Sequence, residues 1–250
     1  NDSHAACPDA NALLFSEFAL TQHLHHPHVI RLYDYAVDGP SQRGFISMEW
    51  LQGAPLDRVI AECPQGVCWD LLQPLALAML DAVVHTHIHG VVHGDLKPSN
   101  LMLGDNGLRL FDFGLAASND ARLLGLPRLQ RERIAAWTPG YAALELLEGG
   151  EISQASDLYA LACVLFELAG GQHPYHHCSA KQAKTQRLDR TLVCPPNLPR
   201  ACWPALQVAL KINPVARRIS AQELRTAFSE ANRPRWSRWL RPWHAPPNPI

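Results

Sequence analysis

The run His93-Gly94-Asp95-Leu96-Lys97-Pro98-Ser99-Asn100, then Leu101-Met102-Leu103, then Gly104-Asp105-Asn106-Gly107-Leu108-Arg109-Leu110-Phe111-Asp112-Phe113-Gly114, decides the fold. Asp95, Lys97, Asn100 and Asp112 place two carboxylates, an ammonium and an amide in one short stretch. Two turn-rich segments separate them, Pro98-Ser99-Asn100 and Gly104-Asp105-Asn106-Gly107. Leu108 to Phe111 is short and alternates little, which predicts a buried strand ending at Asp112. A carboxylate on a loop, then an amide, then a carboxylate just past a strand suits a divalent cation and a phosphate. Asp112 and Asn100 offer the oxygen ligands that Mg²⁺ prefers. Asp95 is free to orient a hydroxyl nucleophile, and Lys97 can meet charge on a transferred phosphoryl group.

Each fragment alone reads more simply as a cap or turn. The order and spacing together resemble the catalytic loop and metal-binding loop of protein kinases. The resemblance implies roles residue by residue. Asp95 would orient the acceptor hydroxyl and take its proton, Lys97 would steady the γ-phosphate, and Asn100 and Asp112 would hold Mg²⁺. His93 would be structural, stacking under Phe113 beside Gly114. ATP and Mg²⁺ are the implied cofactors.

Outward from this stretch the resemblance continues in both directions. Upstream, a helical pattern starts at Leu13 and runs through Leu14, Phe15, Phe18, Leu20 and Leu24, and His25-His26-Pro27 ends it. Glu17 followed by His26-Pro27-His28-Val29-Ile30-Arg31-Leu32 resembles helix αC and the strand after it, so Glu17 takes the place of the glutamate that pairs with the ATP-clamping lysine. A plain exposed helix glutamate is the alternative for Glu17. The histidines at 23, 25, 26 and 28 have no nearby Cys or carboxylate and do not read as a metal site. Gly44 to Leu51 reads as a strand leading to a hinge at Gln52-Gly53. By resemblance Met48 is the gatekeeper, and Glu49 and Leu51 supply the hinge carbonyl and amide. Leu71 to His89 carries apolar residues at helical spacing and is closed by Gly90.

Downstream, Thr138-Pro139-Gly140-Tyr141-Ala142-Ala143-Leu144-Glu145 resembles the peptide-positioning loop, with Leu144 where the family has proline. Thr138 takes the place of the threonine that bridges the catalytic aspartate and lysine. Ser156 to Leu168 resembles the buried αF helix, with Asp157 capping the catalytic loop from below. Asn213-Pro214-Val215-Ala216-Arg217-Arg218-Ile219-Ser220-Ala221-Gln222-Glu223-Leu224 resembles the close of the domain. Counted from upstream, Arg217 is the partner expected for Glu145; counted from downstream it is Arg218, the choice preferred here.

The implied fold is α+β: a bilobal protein-kinase-like fold with a truncated small lobe and a largely helical large lobe. Residues 1–51 form the partial small lobe, 52–230 the large lobe, and 231–250 an Arg/Trp/Pro-rich tail. The tail invites weak contact with a membrane surface or a partner, or is a plain linker. No glycine-rich loop and no strand lysine precede Glu17, and no Lys occurs before Lys97. The chain opens on Asn1 rather than Met, so these parts are expected upstream. Their real loss would make a pseudokinase or a kinase-like scaffold.

Composition agrees with a globular protein: 47% hydrophobic and 18% charged residues. A net charge of −1 gives no basic field for nucleic acid. Seven scattered cysteines without a Cys-x-x-Cys pair fit a reducing cytoplasm. No signal peptide is visible, and no apolar run reaches the length of a membrane span. The expected activity is that of a bacterial-like serine/threonine protein kinase acting on protein hydroxyls; a small-molecule kinase is disfavoured by Lys97 and the 138–145 loop. Gly94 stands where an arginine would grip an activating phosphate. The segment 119–137 has no Ser, Thr or Tyr, and its Arg122, Arg128, Arg131 and Arg133 outnumber Asp120 and Glu132. The enzyme is therefore expected not to be gated by phosphorylation of that segment.

Overall fold

The computed structural model describes residues 8–118 and 138–231. The arginine-rich segment 119–137 and the tail from 232, with the expectations placed on them, lie outside the described residues.

Helix α1 spans Pro8–Thr21, starting earlier than the apolar pattern suggested. Its polar Ser16 and Thr21 are buried without cost because each hydroxyl donates to the carbonyl four residues back, Ala12 and Glu17. The helix stops at Thr21, so Leu24 reaches the core from the following turn instead. Strands β1 (Leu32–Val37) and β2 (Gly44–Met48) form an antiparallel hairpin in which Val37 pairs with Gly44. Phe15 of α1 meets Tyr35 of β1 edge-on at 5.3 Å, fastening helix to hairpin.

The helical part begins after β3 (Gly53–Pro55) with α2 (Leu56–Glu62) and α3 (Trp69–Ile88). By length and composition α3 could cross a membrane, against the expectation that no run is long enough. Its Leu72, Ala76, Met79, Leu80 and Val83 are buried in the protein core instead, and Asp81 on it pairs with Arg225. Gly90 follows with φ 71°, the left-handed turn that closes a helix. Strand β4 (Val91–Val92) delivers the chain to His93. Strands β5 (Leu101–Gly104) and β6 (Gly107–Leu110) form a tight hairpin with Gly104 opposite Gly107, and β3 pairs along the other edge of β5. In β6, Leu108 and Leu110 are buried while Gly107 and Arg109 are less so, so this strand alternates more than its sequence suggested. Strand β7 (Ala117–Ser118) returns to pair with β4.

Helix α4 (Leu144–Leu147) precedes α5 (Gln154–Gly170), the centre of the core. Ser153 and Ser156 form a reciprocal cap at the start of α5, and Gly171 at φ 72° ends it. Nearly every α5 residue is buried, from Leu158 to Leu168. Helices α6 (Ala180–Thr185), α7 (Trp203–Ala209) and α8 (Ala221–Ser229) complete the fold, α8 packing along α3.

The segment after α1 is tied to the β5–β6 hairpin. Ile30 N–H donates to the Leu110 carbonyl, and Leu110 N–H donates to the His28 carbonyl. The hairpin carrying Asp112 is thus fixed to the loop that follows α1.

Candidate active site

The loop between β4 and β5 is organised around one buried carboxylate. Asp157, 1% exposed in the first turn of α5, accepts the N–H groups of His93 and Gly94 at 2.8 Å each and bonds His87 Nε2 at 3.0 Å. A carboxylate at this depth is tolerable only with such donors. Gly94 has φ 81°, and a Cβ there would sit 2.8 Å from the Leu115 carbonyl oxygen, so the loop requires glycine at this position. His93 is fully buried, its Nδ1 accepting Asp95 N–H and its Nε2 bonding the Phe111 carbonyl. Its ring lies 4.6 Å from that of Phe113.

Three of the expected site residues converge here. Lys97 Nζ lies 2.5 Å from Asp95 Oδ2, and the Asn100 amide donates to the Asp95 carbonyl at 2.9 Å. The amide nitrogen of Asn100 is therefore engaged, which leaves its oxygen as the atom able to meet a cation. Burial holds Asp95 above the ordinary carboxylate range, against the pull of Lys97 and His93. A carboxylate displaced towards neutrality is suited to accept a proton.

Asp112 follows β6 with φ 65°, a left-handed conformation that non-glycine residues adopt at a cost and that marks functional sites when it occurs. Glu17 of α1 reaches the same place. Burial and the Asp112 carboxylate lift Glu17 to about 7, while a bond from Phe113 N–H acts in the other direction. The Glu17 and Asp112 carboxylates repel each other across this site. Asp112 and the Asn100 oxygen are the donor set that Mg²⁺ accepts, so the residues present fit that ion. No lysine partners Glu17 among the described residues.

At the hinge, Met48 closes β2 and is 48% exposed. Glu49 N–H donates to the Arg31 carbonyl, and the Glu49 side chain accepts Arg31 N–H and pairs with Arg109 of β6 at 3.2 Å. This clamp between hinge and hairpin was not legible in the sequence, because Arg109 and Glu49 are far apart along the chain. Glu49 and Leu51 line a crevice with Gln52, Met102, Gly104 and Arg109.

Thr138 enters through its carbonyl, which accepts the N–H groups of Tyr141 and Ala142. Among the described residues Asp95 and Lys97 meet each other directly, and no bond from the Thr138 hydroxyl to either is present.

Glu145 pairs with Arg217, not with Arg218 as expected from the downstream register. Arg217 Nη1 lies 2.7 Å from Glu145 Oε1, its side chain is fully buried, and its other donors take the carbonyls of Ala155, Ile212 and Lys211. The physical reason lies upstream. The Asn213 side chain caps a turn at Pro214–Ala216, which fixes the backbone so that Arg217 points inward. Arg218 donates only to the Val215 carbonyl and is exposed.

With this geometry in place, comparison with known proteins is informative. The family model for the protein kinase domain matches residues 3–227. The DNA damage-responsive serine/threonine-protein kinase RqkA of Deinococcus radiodurans is 34% identical over 180 residues, covering 69% of this chain and 25% of that protein. Serine/threonine-protein kinase PkaA of Streptomyces coelicolor is 34% identical over 200 residues, 76% of this chain and 34% of that protein. Serine/threonine-protein kinase PknH of Mycobacterium tuberculosis is 31% identical over 226 residues, 86% and 34%. The chain thus spans a quarter to a third of the length of these relatives.

Proposed function

This chain belongs to the protein kinase family, and from that premise we propose that it transfers the γ-phosphoryl group of Mg-ATP to serine or threonine hydroxyls of a protein substrate. The observation that carries this reading is the convergence of Asp95, Lys97 and Asn100 on one loop, held from below by Asp157. ATP supplies the phosphoryl group, and Mg²⁺ would be held by Asp112 and the Asn100 oxygen. Asp95 orients the acceptor hydroxyl and takes its proton, for which its raised pKa is suited. Lys97, held against Asp95, meets the charge of the transferred group. The Glu49 carbonyl and the Leu51 backbone receive the adenine.

Free cysteines at 63, 68, 163, 178, 194 and 202 support a reducing, cytoplasmic setting. Gly94 supports a loop not gated by phosphate, because it offers no guanidinium to receive one. The relatives that match are serine/threonine kinases, which favours a protein acceptor over a small molecule.

Asp95→Ala tests the assignment in the full-length protein. Phosphoryl transfer to a generic acceptor falls by roughly 10²–10⁴-fold, the contribution of a general base, while the Mg-ATP dissociation constant stays within about twofold. Turnover equal to that of the wild type would remove Asp95 from the chemistry.

A further inference from the structure

Tyr141 and Ala142 line the same crevice as Gly94 and Asp95, so the 138–145 loop adjoins the base proposed above. Four side chains behind that loop form a closed circuit. Tyr141 donates its phenol to Glu167 Oε2 at 2.5 Å. Glu167, on α5, is 4% exposed, and its second oxygen lies 3.5 Å from His177 Nε2. The His177 ring stacks on His173 at 4.7 Å, and His173 meets Tyr141 edge-on at 5.0 Å.

His173 is 3% exposed, and its Nδ1 accepts the N–H groups of Tyr175 and His177. Its Nε2 therefore carries the proton, and the nearby Gly140 backbone is its neighbour although no ordinary hydrogen bond forms. Burial drives this ring down to about 3, so it serves as a neutral packing surface. The backbone is bent to bring His177 into place. His176 and His177 have φ 50° and 58°, a left-handed pair in which neither residue is glycine. Gly140 of the loop runs against this bend, where a Cβ would lie 3.5 Å from the His177 carbonyl oxygen.

We propose that His177 is a positioning residue for the phosphoacceptor, acting through Glu167 and Tyr141 on the 138–145 loop. The inference rests on the kinase reading and deepens it. Glu167 is a buried carboxylate with two partners, the Tyr141 hydroxyl and the His177 imidazole. Removing the imidazole takes away the nitrogen beside Glu167 Oε1, and the loop that Tyr141 anchors loses its fixed place. His177 touches neither nucleotide nor the reacting atoms, so its effect falls on the acceptor and not on ATP.

His177 has a side chain 63% exposed, so His177→Ala preserves the fold. In the full-length protein the KM for a protein acceptor rises about tenfold, with the KM for ATP unchanged. His177→Lys, which again offers Glu167 a nitrogen donor, restores most of the loss. Hydrogen exchange over residues 138–145 rises several-fold in the Ala variant and returns to the wild-type level with Lys. An active wild type with unchanged acceptor KM in His177→Ala overturns the inference, and so does an equal rise in both KM values. A wild type that transfers no phosphate sinks the kinase reading instead. Hydrogen exchange then decides this one alone, and equal protection in wild type and His177→Ala ends it.

Discussion

Arg217 and Arg218 carry the same side chain, and position alone separates their roles. Arg217 is fully enclosed, paired with Glu145, and has its guanidinium 4.9 Å from the ring centre of Tyr159. Truncating a buried ion-pair partner leaves the other charge unsatisfied, so Arg217→Ala costs about 3–5 kcal/mol. Arg218→Ala stays within about 0.5 kcal/mol, as exposed substitutions do. Urea unfolding of the two variants checks this, and a greater loss for Arg218 would restore the downstream register. Arg217→Lys fails to rescue, because an ammonium cannot serve Glu145 and three carbonyls in the fork that a guanidinium spans.

At the scale of elements, imidazoles join the loop after α1 to the end of α3. His26 lies 4.8 Å from His85, His85 lies 4.2 Å from His89, and His28 lies 5.4 Å from His26. Burial lowers His85, with His89, His26 and His25 acting in the same direction. Burial also lowers His26, with His28, against the opposing pull of Asp81, which is itself paired with Arg225. A folded-state pKa below the unfolded value means that the unfolded chain protonates first as pH falls. The stability of this junction is therefore complete above about pH 6.5 and declines below it. His173 contributes with the same sign, and Glu17, whose pKa is raised, with the opposite sign. The junction is isolated by comparison: on passing from about pH 7.5 to about pH 5.5, the melting midpoint falls less in His85→Gln than in the wild type. Equal falls would show that these rings are indifferent to protonation.

At the scale of the molecule, the proposed activity needs the 138–145 loop ordered and the Asp95 loop fixed. Asp157 fixes the second from α5, and the Tyr141–Glu167–His177 contacts hold the first on the same helix. Both depend on α5, the most buried helix, so order in these two loops is coupled to the core. The proposal that a phosphate on the 115–140 segment does not gate the enzyme rests on Gly94, whose φ of 81° and whose closeness to the Leu115 carbonyl, 2.8 Å from where a Cβ would sit, disfavour a side chain there. Phosphatase treatment of the active full-length protein is expected to leave its rate on a generic acceptor within about twofold. Collapse of activity, with a phosphate mapped to residues 115–140, would overturn this reading of Gly94.

The sequence by itself determined the family, the order of the elements and the meeting of Asp95, Lys97 and Asn100 on one loop, because these residues are close along the chain and separated by turns with their own local chemistry. Gly90 likewise announced a helix end through a backbone conformation that few other residues adopt. Tertiary structure alone decided which arginine meets Glu145, that Glu49 clamps Arg109, that Thr138 leaves Asp95 to Lys97, and that Glu167 and two histidines stand behind Tyr141. These contacts join residues tens of positions apart, and their partners are chosen by burial. A carboxylate such as Glu167 looks like any helix glutamate until the fold removes it from water and leaves it only the donors within reach.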